Sequence, residues 1–423
     1  CHLTPSIVDN RCSGQGRLPF PSHPLPLVTH KRRRLTSFQT ILPFFSLMGP
    51  SDFTSFLFKL TSWLGIVWLS TTIVRFILLS DSNKRVYNHT PGPCRILQGI
   101  ENGSAGIEYV PELRLAFISN GLGGSDGGIG RILTYEFPEQ KAEQDRSAKI
   151  HEAFPLKIQK SDSFRQDKFS PLGLSSFTSK GRVSLYVVNT HPERKCIEAF
   201  TFIKEKSLLQ HRKSICDPKF NSLTDIAVVG ADRFFVTNLA YFNNGWMQMA
   251  ELSMQMNMGS ILLFNGKTVE YSEKYFPSPS GIFYDKPRER LIVSSMINEV
   301  MQVYSVNRDL SIDHKLDMSL LSSPAGLYVE PKSGDIFASF HPVLNSLIFH
   351  WLGTNEERKA SPSQVLRIRM QNDGVSWVVT EPYANDGATI SASNAVAYVN
   401  DQLLIGSLFG KCLLCDVDYP TLA

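Results

Sequence analysis

The chain has 423 residues, enough for one large domain or two of ordinary size, and its composition of 42% hydrophobic and 19% charged residues is typical of a globular core. This balance excludes disorder for most of the chain. The net charge of +4 is small, and much of the positive charge lies in one run at residues 31–34 without interleaved aromatic residues, so nucleic-acid binding is not predicted.

The segment 1–47 mixes proline, serine and basic residues without periodicity and contains no methionine. The first methionine is Met48, which begins the sequence MGPSDF. We expect residues 1–47 either to be a disordered tail or not to be translated, with the natural protein beginning at Met48. Neither alternative gives this segment a fold.

Residues 53–79 are predicted to form a transmembrane signal anchor. The uncharged run 60–74 rises only about 22 Å as a helix, and the longer span crosses a bilayer if Lys59 and Arg75 extend toward opposite interfaces. A soluble amphipathic or core helix is the alternative. No small-residue cleavage site follows, which favours an anchor that is retained, and residues 80–91 form a linker.

The signals for the orientation of the anchor oppose one another. Basic residues after the span, such as Lys84 and Arg85, favour a cytosolic domain, whereas the run 31–34 favours the reverse. Asn88 and Asn102 lie in glycosylation sequons, NHT and NGS, and they favour the lumen or exterior. We expect a single-pass glycoprotein of the endoplasmic reticulum or cell surface, with its large domain lumenal or extracellular.

Residues 92–418 contain six versions of one pattern, in which a turn is followed by a short apolar strand that ends in small or amide residues, and usually by a second strand. The first strands lie at 111–120, 180–189, 230–238, 286–295, 332–340 and 399–407. Such a repeat predicts an all-β fold, a six-bladed β-propeller, with these first strands nearest the crowded axis. A stacked sandwich or two β domains is the alternative, but no linker-like stretch divides the region.

Five cysteines lie in this region: Cys94, Cys196, Cys216, Cys412 and Cys415. Cys94 precedes the first repeat, and Cys412 and Cys415 end the last, so a disulfide between the two ends would close the ring and remove much chain entropy. The Cys412–Cys415 spacing could also serve redox chemistry or zinc, but no second pair at ligand spacing accompanies it.

The chain resembles the paraoxonase/arylesterase family along the whole of this region, from about Cys94 to Cys415. The matching pieces include CRILQGIENGSAGIEYVPELRLAFISNGL, PLGLSSFTSKGRVSLYVVNTHP, SLTDIAVVGADRFFVTN, SGDIFASFHP and DQLLIGSLFGKCLLC. The resemblance implies a six-bladed propeller with an N-terminal hydrophobic anchor. It also implies a disulfide between Cys94 and Cys415.

Family enzymes hydrolyse lactones and aryl esters with calcium in the central tunnel, and calcium needs several anionic oxygen ligands. The resemblance places the calcium ligands at positions that in this chain are Ala105, Gly106, Thr224, Asp225, Ser280, Ala325 and Gly326. Only Asp225 is a carboxylate, so we expect no metal or other cofactor. Calcium would be required under the alternative that the chain is a calcium-dependent arylesterase or lactonase with relocated ligands.

The two histidines that the resemblance assigns to catalysis are also replaced. Their positions correspond to Leu172 and Thr190, and His191 lies one residue later, where strand alternation directs a side chain to the opposite face. We therefore predict no catalytic residues at the family's site.

A methionine-rich stretch, 242–259, is predicted to form a short amphipathic helix at a membrane or partner surface; its members are Trp246, Met247, Met249, Met254, Met256 and Met258. A helix or strand that covers one propeller face is the alternative. In layout the chain is similar to nematode paraoxonase-like membrane proteins that assist the assembly of degenerin channel subunits. We therefore expect a non-catalytic accessory protein or chaperone for channel subunits in the membrane.

Overall fold

The computed structural model describes residues 50–122, 129–138, 151–354 and 358–418. The predicted segment 1–47, with its basic run at 31–34, and Met48 lie outside the described residues.

A long helix, α1 (Pro50–Ser80), contains the whole of the predicted span 53–79. Within it, residues 51–80 are long and apolar enough to cross a membrane. Large apolar side chains are exposed, among them Phe58, Trp63 and Leu78. The hydroxyl group of Thr61 donates to the carbonyl oxygen of Leu57 at 3.0 Å. Such a bond satisfies the hydroxyl within the helix, as an apolar solvent requires.

The strands that follow form six sheets in the described part of the chain. The first strand, β1 (Cys94–Leu97), belongs to the last sheet. The first sheet contains β2 (Ile107–Val110), β3 (Leu115–Asn120), β4 (Arg131–Glu136) and β5 (Phe154–Pro155). The second contains β6 (Lys157–Gln159), β7 (Pro171–Ser179), β8 (Arg182–His191), β9 (Arg194–Ile203) and β10 (Leu208–Cys216). The third contains β11 (Leu223–Gly230), β12 (Arg233–Asn238), β13 (Gly259–Phe264) and β14 (Val269–Phe276).

The fourth sheet contains β15 (Pro279–Asp285), β16 (Arg290–Ser295), β17 (Val300–Val306) and β18 (Ile312–Ser319). The fifth contains β19 (Ser323–Val329), β20 (Ile336–His341), β21 (Ser363–Met370) and β22 (Trp377–Asn385). The sixth contains β23 (Ser393–Val399), β24 (Gln402–Ser407) and β25 (Cys412–Asp416), and β1 completes it. Two short helices, α2 (Gly245–Ser253) and α3 (Leu344–Leu352), connect β12 to β13 and β20 to β21. The prediction of an all-β six-bladed propeller preceded by an apolar helix is confirmed.

The strands nearest the axis are β2, β7, β11, β15, β19 and β23, each of which contacts the equivalent strand of the next sheet. The prediction that the apolar strands ending in small residues lie at the axis was therefore wrong by one strand. Those segments form the second strand of each sheet. The second strands are almost fully buried because neighbouring sheets cover both of their faces, which explains their strong apolar pattern.

The ring is closed by the pairing of β1 with β25, in which Cys94 lies opposite Cys415. These two cysteines form a disulfide across 321 residues of sequence. A second disulfide, which the sequence pattern did not reveal, joins Cys196 and Cys216 on β9 and β10. Cys412 is buried as a free thiol, and burial raises the pKa of that thiol to about 12.

The segment predicted as a linker, 80–91, is attached to the fifth sheet. The backbone nitrogen and oxygen of His89 bond to Ala384 at the end of β22, at 2.9 and 3.1 Å. The ring Nε2 of His89 is 2.6 Å from the carbonyl oxygen of Glu381. These contacts fix the position at which the chain enters the propeller.

Candidate axial site

In five of the sheets, the pairing between the strand nearest the axis, here called the inner strand, and the second strand shifts register near the start of the inner strand. These inner strands are β7, β11, β15, β19 and β23. A β-bulge at such a position re-aims the local side chains. The dipeptides at the bulges include the positions that the family resemblance selected: Leu172-Gly173, Thr224-Asp225, Ser280-Gly281 and Ala325-Gly326. Ala105-Gly106 occupies the equivalent place directly before β2. The fold thus brings these scattered positions into one ring around the axis.

Glycine is required in this ring because consecutive inner strands touch there. A Cβ atom on Gly106 would lie 2.1 Å from the carbonyl oxygen of Leu172. A Cβ on Gly281 would lie 2.3 Å from the carbonyl oxygen of Ala325, and one on Gly326 would lie 2.4 Å from that of Asn394. None of these distances is compatible with a side chain unless the backbone moves.

Polar side chains in the ring donate hydrogen bonds from one inner strand to the next. Thr224 Oγ1 donates to the carbonyl oxygen of Pro279 at 3.1 Å, and Ser280 Oγ donates to that of Pro324 at 2.8 Å. Asn394 Nδ2 donates to the carbonyl oxygen of Ala105 at 2.7 Å, which joins the sixth sheet to the first. The hydroxyl groups that could have offered oxygen to a cation therefore hold the strands together.

Asp225 is the carboxylate in this ring, and both of its oxygens accept backbone hydrogen bonds. Oδ1 accepts from the N–H of Ile226 at 2.9 Å and Oδ2 from the N–H of Ile282 at 3.0 Å. Burial raises the pKa of this carboxyl to about 7, against the opposing effect of those two hydrogen bonds. In the described residues no group of three or more histidine, cysteine, aspartate or glutamate side chains could hold a metal ion. The residues of the ring do not fit calcium, which needs six to eight oxygen ligands.

The position that the resemblance assigned to the first catalytic histidine lies in an apolar cluster. Leu172 and Ala105 are buried with Leu344 and Leu347 of α3. At the second position, Thr190 Oγ1 donates to the carbonyl oxygen of Ser170 at 3.1 Å. His191, the neighbouring residue, is half-buried at the end of β8 and is not among the residues that line the axial cavity.

A cavity of about 530 Å³ follows the axis, and sequence analysis missed two of its polar lining residues, Glu108 and His341. Glu108 Oε1 accepts from the N–H and the hydroxyl group of Ser176 at 2.8 and 2.6 Å. Burial raises the pKa of Glu108 to about 7, and the nearby Asp225 adds to this effect. Burial lowers the pKa of His341 to about 3. Glu108 lies two residues after Gly106, so strand alternation directs it to the same side once the axial position of β2 is known.

Replacing Glu108 with glutamine is expected to make the protein more stable at pH 8 and less sensitive to pH. Because burial raises the pKa of Glu108 from 4.5 to about 7, the folded chain binds this proton more tightly than the unfolded chain. The resulting stabilisation is complete below pH 4.5 and is lost as the pH rises through about 7. Glutamine keeps the oxygen that accepts from Ser176 but carries no charge. Urea unfolding at a series of pH values measures the effect.

The control for this prediction is Glu112→Gln, which changes an exposed glutamate four residues along the chain. We expect the control to retain the pH dependence of the parent protein. If Glu108→Gln also retained it, the carboxyl group of Glu108 would have to be hydrated in the folded state.

The methionine-rich stretch contains α2 and the turn that follows it. Trp246 is 71% exposed, Met254 and Met256 are exposed, and Met247, Met249 and Met258 are half-buried. Met249 lines the axial cavity. The segment is held in place by Glu251, a buried side chain that accepts hydrogen bonds from the backbone of Tyr241 and Phe242 at 3.0 to 3.1 Å. This stretch therefore covers the cavity on one side and exposes apolar side chains on the other.

The predicted glycosylation sites are both accessible. Both asparagines are exposed. Asn88 lies before β1, and Asn102 lies between β1 and β2. Asn88 Oδ1 accepts from the backbone N–H of Asp386 at 2.7 Å.

Comparison with known proteins identifies the family to which the chain belongs. The Arylesterase family model matches residues 86–417. Mechanosensory abnormality protein 6 of Caenorhabditis elegans is 41% identical over 365 residues, which cover 86% of this chain and 97% of the relative. Serum paraoxonase/lactonase 3 of Oryctolagus cuniculus is 31% identical over 330 residues, which cover 77% of this chain and 89% of the relative. The chain is a member of the arylesterase/paraoxonase family.

Proposed function

We propose that this protein is a non-catalytic member of the family that is anchored in a membrane and assists the assembly of membrane channel subunits. The observation that carries the proposal is the use of the axial ring for structure. Its hydroxyl and amide groups bond to neighbouring strands, its one carboxylate accepts two backbone hydrogen bonds, and apolar side chains occupy the remaining positions. Without a cation, neither a substrate carbonyl oxygen nor the developing oxyanion is polarised.

The rival function, calcium-dependent hydrolysis of aryl esters or lactones, has its own requirement. It needs anionic ligands at the axis, and three acidic side chains line the cavity: Asp225 and Glu108, whose carboxyl groups are buried, and Glu112, which is exposed. Calorimetric titration of the full chain with calcium, together with assays on phenyl acetate and a lactone, distinguishes the two. We expect no stoichiometric calcium binding and no calcium-dependent turnover. Calcium-dependent turnover that is lost in Asp225→Asn would overturn the proposal.

The surface for the partner is proposed to be the exposed face of α2 and the turn after it. Trp246, Met254 and Met256 offer adaptable apolar contact area, because thioether side chains repack readily against different surfaces. Exposed apolar residues of this kind mark sites of association with proteins or membranes. Phe349 and Trp351 of α3 are also about half exposed.

Replacing Trp246, Met254 and Met256 together with glutamine is expected to reduce the amount of a degenerin-type channel subunit that co-purifies with the full chain by at least fivefold. Met249 is left unchanged because it lines the cavity. The control is Tyr275→Asn, which removes an aromatic side chain that is 75% exposed on the outer strand of the third sheet. Equal co-purification of parent and triple variant would remove this surface from the proposal.

The proposed location is the endoplasmic reticulum or the cell surface, with the propeller on the lumenal or extracellular side. It is supported by the two disulfides, which persist in oxidising compartments, and by the exposure of Asn88 and Asn102. An endoglycosidase H-sensitive mobility shift that disappears when both asparagines are replaced by glutamine is the expected result. A band that neither endoglycosidase H nor peptide N-glycosidase F shifts would contradict this placement of the propeller.

A further inference from the structure

The second sheet contains a chain of hydrogen-bonded polar groups that is separate from the axial cavity. Ser161 Oγ lies 2.6 Å from Nδ1 of His211, and Nε2 of His211 lies 2.9 Å from Oε2 of Glu198. The side chains of His211 and Glu198 are 0% and 1% exposed, whereas Ser161 is partly exposed. None of the three lines the axial cavity. A partly exposed hydroxyl group is thus connected through a buried imidazole to a buried carboxylate.

The direction of the hydrogen bonds follows from the charge of Glu198. Burial, the largest influence, raises the pKa of this carboxyl, but hydrogen bonds from His211 and Ser214 and the charge of Arg194 together lower it below its usual value. An ionised carboxylate only accepts, so Nε2 of His211 carries the hydrogen in this bond. In the neutral imidazole Nδ1 then accepts from the hydroxyl group of Ser161. This is the polarity with which a histidine removes a proton from an attacking serine.

The fold holds these groups in place by features particular to the second sheet. Among the described residues this sheet alone has a fifth strand, β6, which pairs parallel to β10 and places Gln159 opposite Gln210. Ser161 follows β6 by two residues and therefore lies beside His211. A β-bulge in β10 between His211 and Lys213 re-aims the histidine toward this edge.

Aromatic packing and a disulfide hold His211 and Glu198 in place. The rings of Phe164 and Phe200 lie 4.9 and 5.2 Å from the imidazole of His211, measured between ring centroids. The disulfide between Cys196 and Cys216 joins β9 and β10, the strands that carry Glu198 and His211. Preorganisation of this kind is what a reactive site needs and what a merely solvated serine lacks.

We propose that Ser161 is a reactive nucleophile, a site of covalent acylation by acyl donors with a good leaving group, with His211 as its base and Glu198 as a positioning residue. Ser161 Oγ bonds to the carbonyl carbon as its proton passes to Nδ1 of His211. That proton then passes to the departing group as its bond to the carbonyl carbon breaks, which leaves an acyl ester on Ser161. The guanidinium group of Arg194, which donates to the carbonyl oxygen of Ser163 at 2.8 Å, places a positive charge beside this turn. This activity is independent of the function proposed for the axial ring.

The test uses the full chain in detergent and a fluorophosphonate, in which phosphorus takes the place of the acyl carbon and fluoride is the leaving group. Trypsin cleaves after Lys160 and Arg165 and releases the peptide 161–165, which holds both Ser161 and Ser163. We expect the label on Ser161 by fragment mass spectrometry and none on this peptide in Ser161→Ala. Glu198→Gln, which keeps the shape of the side chain, is expected to slow labelling about 10²-fold while the unfolding temperature shows that it remains folded.

The matched control is Ser163→Ala, which removes a hydroxyl group 3.0 Å from Ser161 Oγ in the same peptide. It should retain labelling of Ser161 within about twofold. The chain unfolded in urea gives the rate of an unactivated serine. Labelling of Ser161 no faster than in the unfolded chain, or equal labelling of Ser161 and Ser163, would overturn the proposal even if Glu198→Gln did not fold.

Discussion

Replacing both Cys94 and Cys415 with alanine is expected to lower the free energy of unfolding by about 6 kcal/mol, the value that loop-closure entropy gives for a loop of this length. The bond joins residues 321 positions apart, so its removal frees the whole ring in the unfolded chain. It also leaves the pairing of β1 with β25 to close the propeller by itself. Replacing both cysteines prevents Cys412, a buried free thiol, from forming a substitute bond with either partner. Urea unfolding under non-reducing conditions measures the loss.

The control is the same double replacement at Cys196 and Cys216. That disulfide spans 20 residues within one sheet, and the same entropy argument gives about 3 kcal/mol. The two variants thus share chemistry and differ in the length of chain they release. If both pairs cost the same, the first bond would stabilise only the local contact between β1 and β25, and ring closure would not depend on it.

Replacing Gly106 with alanine is expected to destabilise the propeller by about 3 kcal/mol or more, the upper end of the range for overpacked cores. The new methyl group would lie 2.1 Å from the carbonyl oxygen of Leu172 and 3.0 Å from Ser119 Oγ. The first of these neighbours is backbone of the adjacent sheet, so relief requires the two sheets to separate. Thermal unfolding followed by circular dichroism measures the effect.

Gly245→Ala provides the comparison, since it makes the same chemical change at the first residue of α2. A Cβ atom at Gly245 would meet no other atom within 4 Å. We expect this variant to be neutral or more stable by about 0.5 kcal/mol, because alanine loses less backbone entropy than glycine in a helix. Equal behaviour of the two variants would mean that the inner strands have room to move apart at the axis.

The repeated strands and the apolar helix could be predicted from sequence because both are local patterns. A run such as GADRFFVTN predicts a buried strand wherever it lies in the chain, and residues 60–74 contain no charged side chain. The order of strands within a sheet is not local. The inner strand β11 includes Asp225 and lines an open cavity, so its pattern is weaker than that of β12, which is covered on both sides. The stronger apolar pattern of the second strands was therefore wrongly assigned to the strands at the axis.

The candidate site also has one part that could be predicted from sequence and another that could not. Ala105, Leu172 and Thr224 were identified as positions of interest from the resemblance, but their hydrogen bonds and packing across the ring depend on strands far apart in the chain. Glu108 was missed because one acid in a short strand gives no signal until the strand is known to face the axis. The disulfide between Cys196 and Cys216 was missed because their pairing depends on the register of β9 against β10.

The sequence by itself determined the repeat and the apolar helix, and its family resemblance predicted that the positions of the calcium ligands carry one acidic side chain, Asp225. Only the tertiary structure decided which atoms replace those ligands, through the contact of six inner strands around one axis. It also decided that Ser161, His211 and Glu198 meet at an outer edge of the second sheet. The reason is that composition and periodicity act over a few neighbouring residues, whereas closure of a ring brings together groups that are up to 321 residues apart.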